Sequence, residues 1–285
     1  MSHWAKPLWV RHNGRMDPAL YPVALSSWAV HKAIGFDLED GPDKGPQPYR
    51  KVGPDPIDVR DLPAIAAAHG FRRLELCHFH LDRRDASVVR ELRAALAAEG
   101  VVLQTLLIDN GDLAHPDPAA ADKHETWIAS WLETAEALGA ERARVVGGRS
   151  RREGDIQDAA PRLRRLAEGT SVRITTENWL ATLDSPSQIL GLLDLCEGAI
   201  GLNVDLGNWS GPENLGWIEA IAGRAETCHA KCEVVDGKNE LEGFRQAIDA
   251  AVRGGYKGPL TLVNGAGSDQ EWELVVEQAA FIRSR

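Results

Sequence analysis

Four segments in the second half of the chain close on side chains able to hold a cation or move a proton. SVRITTE ends in Glu177, IGLNVD ends in Asp205, AETCHA carries His229, and PLTLVN ends in Asn264. Taken singly, a residue such as Asp205 reads as a helix cap. Taken together, two carboxylates, an imidazole and an amide oxygen make an oxygen and nitrogen donor set. Such a set suits Mn²⁺, Mg²⁺, Co²⁺ or Zn²⁺ rather than a thiolate site. The alternation of an extended segment puts Asn203 and Asp205 on one face and Leu202 and Val204 on the other. Earlier in the chain, RRLELCHFHL offers Glu75, His78 and His80. His78 and His80 share parity near the end of a strand. His78 is the candidate acid/base, because imidazole titrates in the useful range, and His80 a candidate substrate contact. His31, Asp109, Asn110 and Trp179 fall just past strand ends, where they would line a pocket.

These residues need a scaffold that brings strand ends together. Gly70, Gly100, Gly139, Gly169, Gly198, Gly223 and Gly255 each close a helix-like stretch just before a strand-like one, at intervals of 25 to 39 residues. That is the length of a βα unit, and glycine suits the left-handed position that ends a helix. Strands are expected over 23–28, 72–77, 101–107, 142–146, 171–177, 200–205, 225–230 and 259–264. Each is short, β-branched or leucine-rich, and bounded by turn residues. Helix starts are legible too: Asp184 or Ser185 caps ahead of Pro186, and Ser268 with Glu271 has capping-box spacing. Eight evenly spaced units with no GxGxxG after the first strand predict a single closed (β/α)₈ TIM barrel over residues 23–285, preceded by an extension over 1–22. The Gly/Pro-rich stretch 35–56 interrupts the rhythm after the first strand. In a barrel it lies on the catalytic face, as a lid, a binding loop or a loose excursion.

Composition narrows the function. The 42 acidic residues against 32 basic ones give a net charge of −10, which argues against a nucleic-acid surface. No apolar run approaches the ~20 residues of a membrane span, and no signal peptide is evident, so a cytoplasmic location is expected. Cys77, Cys196, Cys228 and Cys232 lack paired CxxC spacing and read as reduced thiols. Nine tryptophans, some in the extension, would suit a homo-oligomer interface. The Gly265-Ala-Gly267 turn lies where barrels often bind phosphate, but it holds no cation.

The series TTENW, NVDLGNW, CHAK and PLTLVN resembles the xylose-isomerase-like sugar isomerase/epimerase superfamily of TIM barrels. The resemblance runs from about residue 23 to the end and is most specific in strands five to seven. It implies one divalent metal held by Glu177, Asp205 and His229, with Glu177 also a candidate base. Lys231 matches the lysine of a His-x-Lys pattern and would meet substrate oxygen. Two departures stand out. Asn264 replaces the usual strand-eight glutamate, leaving it the part of a neutral fourth ligand. Asn208 occupies the histidine position of an Asp-x-x-His, leaving it a substrate contact. An amide cannot shuttle a proton at neutral pH. The resemblance implies a metal-dependent isomerase or epimerase working through a metal-stabilised enediolate of a small sugar, polyol or keto acid. A metal-dependent lyase or dehydratase and a non-catalytic sugar-binding barrel are the alternatives.

Overall fold

The computed structural model describes residues 21–45, 47–82, 86–264 and 270–285, with Asn264 described by its backbone alone. Eight strands run as β1 Val23–Ser26, β2 Arg73–Cys77, β3 Val102–Ile108, β4 Arg142–Val145, β5 Arg173–Glu177, β6 Gly201–Asp205, β7 Ala225–Cys232 and β8 Leu260–Asn264. All pair in parallel with their neighbours in sequence, and β8 returns to β1, closing the barrel. The helices between them are α1 Leu62–Ala68, α2 Ala86–Ala98, α3 Pro118–Leu138, α4 Asp155–Glu168, α5 Pro186–Leu195, α6 Asn214–Ala222, α7 Leu241–Arg253 and α8 Glu271–Arg283. The predicted (β/α)₈ order is thus the observed one. None of the described helices is long and apolar enough to cross a membrane.

Alternation along each strand sorts the side chains into two layers. Leu202, Val204, Ala143 and Val145 join the apolar layer against the helices. The opposite parity carries polar groups into the barrel. Glu75 Oε1 accepts from Gln104 Nε2 at 2.8 Å, Thr105 Oγ1 at 3.0 Å and Thr261 Oγ1 at 3.2 Å. This polar plug replaces the branched apolar layers usual inside such barrels, and every buried oxygen in it needs a partner.

Helix starts follow the sequence signals. Ser185 accepts from the Gln188 N–H, and Asp117 from that of Ala119, each ahead of a proline. The Ser268 half of the expected capping box lies outside the described residues. Glu271 reaches across to accept from the backbone N–H groups of Lys32 and Ala33 at 3.2 and 2.9 Å. Five of the seven punctuating glycines have positive φ; Gly169 and Gly223 do not. Gly223 answers to crowding instead, since a Cβ there would stand 2.8 Å from the Gly254 carbonyl.

Most of the extension lies outside the described residues. At its end, Tyr21 is buried and donates to the Tyr256 carbonyl at 3.1 Å. The stretch after β1 contains an antiparallel hairpin, Phe36–Leu38 with Tyr49–Lys51, rather than a loose excursion. Its Asp43 binds Lys123 and His124 of α3 at 3.0 and 3.1 Å. The Asp40 carbonyl accepts from Asn110 Nδ2 at 2.6 Å. All four cysteines are free and buried.

A candidate metal centre at the barrel mouth

Register brings the metal-binding candidates together. Asp205 stands level with His229 across β6 and β7, and Glu177 with Asn203 across β5 and β6. Asn178 fastens the two strand ends. Its side-chain oxygen accepts from the Asp205 N–H at 2.7 Å, and its amide donates to the Asp205 carbonyl at 2.9 Å. The donor atoms of Glu177, Asp205 and His229 consequently lie within 4.8 Å of one another, all three side chains buried. His229 Nδ1 is 3.5 Å from both a Glu177 and an Asp205 oxygen. Its other nitrogen, Nε2, makes a 2.8 Å hydrogen bond to Glu75 Oε2, which turns Nδ1 toward the two carboxylates.

The donor set fits a divalent cation of the expected kinds. Glu75 supplies the carboxylate behind the histidine that fixes ring orientation in metal sites. Glu177 Oε2 is buried without an aligned hydrogen bond, although Arg144 Nε lies 3.1 Å away, so it keeps a lone pair to offer. Asp205 Oδ1 is steadied by the Gly207 N–H at 2.6 Å. Burial opposes a charge on His229, but Glu177 and Glu75 outweigh it and hold its pKa well above the ordinary imidazole value. Burial likewise opposes charge on Glu177, yet the Arg144 guanidinium and His229 bring its pKa down to about 2.

These groups form one wall of a cavity of about 450 Å³ at the carboxyl ends of the strands. Asn110, Trp179, Asn208 and Lys231 line it, as does Asp109. Asn208 donates to Glu177 Oε1 at 2.8 Å, so the residue in place of a histidine steadies a candidate ligand. Lys231 lies across Gly207, where an added Cβ would come within 2.7 Å of the lysine Cδ. The Asn264 side chain and the 265–267 turn lie outside what is described.

The histidines of the second strand are placed otherwise. β2 stops at Cys77 and residues 78–80 form a 3₁₀ turn, which breaks the alternation that had aimed His78 and His80 at the mouth. Cys77 and Phe79 face the cavity instead. His78 is buried against Trp127 and Trp131, accepting from the Asp109 N–H at 3.3 Å. It is not among the residues that line the cavity. His80 bonds to Ser27 at 2.9 Å and to His31 at 2.8 Å. Neither His80 nor His31 lines the cavity; His31 stacks on Trp28, which does. Among the cavity residues given no role from sequence are Trp28, Phe79, Arg144 and Arg149. Alternation in RARVV was the signal for Arg144, which shares the inward face with Arg142. Arg144 pairs with Asp109 and lies 5.1 Å from the centroid of Trp179.

Comparison with known proteins agrees with this architecture. The family model for the xylose isomerase-like TIM barrel matches residues 63–262. A search of curated proteins finds no match. Among solved structures, a xylose isomerase-like TIM barrel protein from Mycobacterium smegmatis in complex with magnesium superposes with a TM-score of 0.65 at 17% identity. The alignment covers 94% of this chain and 97% of that one. D-psicose 3-epimerase with D-tagatose from Clostridium cellulolyticum H10 gives 0.63 at 13% identity, covering 92% and 98%. A protein assigned as a 3-DHS dehydratase of petrobactin synthesis from Bacillus anthracis gives 0.64 at 12%, covering 90% and 97%. At these identities the likeness is one of fold. With its closed eight-stranded barrel and a family match over most of its length, the chain belongs to the xylose isomerase-like TIM barrel family.

Proposed function

We propose that this chain is a divalent-metal-dependent enzyme of the sugar isomerase/epimerase type, acting beside the carbonyl of a small sugar, polyol or keto acid. The observation that carries the reading is the convergence of Glu177, Asp205 and His229 at the floor of the cavity, with His229 braced by Glu75. Those three residues would hold the ion, which when bound supplies a Lewis acid that polarises a carbonyl. The chain's own groups do the rest. Trp28, Phe79 and Trp179 present rings to the cavity, where they exclude water and pack on the apolar face of a sugar. Lys231 enters the cavity with no side-chain partner among the described residues, and donates to a substrate oxygen. Glu177 is held ionised by Arg144 and Asn208, which favours its part as ligand and leaves it a weak base.

The amides at positions 208 and 264 favour a second reading, a lyase or dehydratase. An epimerase of the two-base kind needs a proton acceptor and a donor on opposite faces of one carbon. By the sequence resemblance, Asn208 and Asn264 occupy positions where a histidine and a glutamate are expected, and neither amide moves protons. A single-face proton transfer or an elimination needs only one such group. The test is incubation of candidate ketoses and inosose-like polyols with the metal-loaded protein in deuterated water, followed by NMR. Label uptake without inversion, or loss of water, supports the single-face reading. Rapid inversion with label uptake supports an epimerase with an unrecognised second base. Metal binding with no exchange on any of these compounds would refute turnover and leave a sugar-binding barrel.

A further inference from the structure

Arg149, on the loop after β4, borders the same cavity as Lys231. Its guanidinium is fixed by three oxygens of the β3–α3 loop. Nε donates to the Gly111 carbonyl at 2.9 Å, and Nη2 donates to the Asp109 carbonyl at 2.7 Å and to Asn110 Oδ1 at 3.1 Å. All three acceptors are neutral. Among the described residues, no carboxylate pairs with Arg149 or with Lys231. This contrasts with most arginines of the chain, including Arg144, which is matched by Asp109 and Glu177.

The charge balance at the mouth follows. A divalent ion on the Glu177 and Asp205 carboxylates with a neutral His229 sums to zero, and Arg144 offsets Asp109. Arg149 and Lys231 then leave the cavity wall positive, and it stays positive when Glu75 beneath the site is included. With Nε and Nη2 engaged by its neighbours, Arg149 keeps Nη1 to donate, and a positive wall with a guanidinium fixed in this way suits the oxygens of a carboxylate better than a neutral sugar.

We propose that the substrate is an acid, a hydroxy or keto compound bearing a carboxylate, and that Arg149 is the residue that selects it. The proposal rests on the metal-dependent reading above and narrows its substrate class. Lys231 keeps its part at a substrate oxygen, and Arg149 holds the carboxylate.

Three matched probes test it: glycerate, glycerol and glycerol 3-phosphate, titrated calorimetrically into Mn²⁺-loaded protein. Manganese affinity is measured first, in the same preparations. A carboxylate also binds metal directly, so the decisive comparison is between the wild type, Arg149→Met and Arg149→Lys. The expected result is that glycerate binds at least tenfold more tightly than glycerol in the wild type. Arg149→Met loses about that factor, Arg149→Lys loses less, and manganese affinity is unchanged in both. Equal glycerate binding in the wild type and both variants overturns the assignment, as does a preference for glycerol 3-phosphate that Arg149→Met abolishes. A wild type that binds no manganese refutes the underlying metal reading, whereas bound manganese without charge discrimination refutes only the acid substrate.

Discussion

Replacing Glu75 with glutamine is a near-isosteric change one layer beneath the proposed metal ligands. Oε1 of Glu75 accepts from Gln104, Thr105 and Thr261, and an amide oxygen can take over all three bonds. The amide nitrogen would then stand where Oε2 now meets His229 Nε2 at 2.8 Å, donor facing donor. His229 can relieve that only by moving its proton to Nδ1, the nitrogen turned toward Glu177 and Asp205. The mutation therefore acts on the metal ligand through its tautomer, and loss of such a partner typically weakens metal binding by roughly 10- to 100-fold. That corresponds to about 1.4–2.7 kcal/mol. Titration of Mn²⁺ into Glu75→Gln and the wild type, with circular dichroism to check the fold, measures it. A folded Glu75→Gln that binds manganese as tightly as the wild type would refute the bracing role of Glu75.

Gly207→Ala places a Cβ 2.7 Å from Lys231 Cδ and 3.0 Å from Cγ, so the lysine must swing aside; turnover or substrate affinity should fall severalfold in steady-state assays while metal content holds. Lys231→Met should give the same pattern, and His78→Gln should lower the thermal midpoint without a specific loss of turnover at temperatures where it stays folded. In the metal-free protein, the raised pKa of His229 gives stability that is complete below pH 6.5 and lost as pH climbs through its folded value. Burial lowers the pKa of His78, and burial with the neighbouring His31 lowers that of His80, so stability also falls as pH drops below 6.5. Thermal melts from pH 5 to 8.5 should show both limbs, and a bound divalent cation should remove the alkaline one.

The barrel was legible because its signals are local and repeated. Glycine ends and β-branched strands recur along the chain, and alternation alone separated Asp205 from Val204. The candidate ligands were legible because the strands of a closed parallel barrel carry their last polar residues to one rim. What the sequence hid depends on where a strand stops. One residue decided the second strand: with β2 ending at Cys77, the turn that follows gives Phe79 to the cavity and buries His78 among tryptophans. Glu75 was visible as a strand residue, but its bond to His229 spans 154 positions and no local pattern reports it. Arg149 gave no signal of its own in the sequence, because two of its three anchors are main-chain carbonyls, which carry no side-chain signature.

The central claim is that Glu177, Asp205 and His229 hold a single divalent cation. Elemental analysis after stripping and reloading with Mn²⁺, on the wild type and on Asp205→Ala, tests it most directly. About one manganese per chain is expected in the wild type and its loss in Asp205→Ala, both with the same far-UV spectrum. A folded wild type that retains no more metal than Asp205→Ala would contradict it.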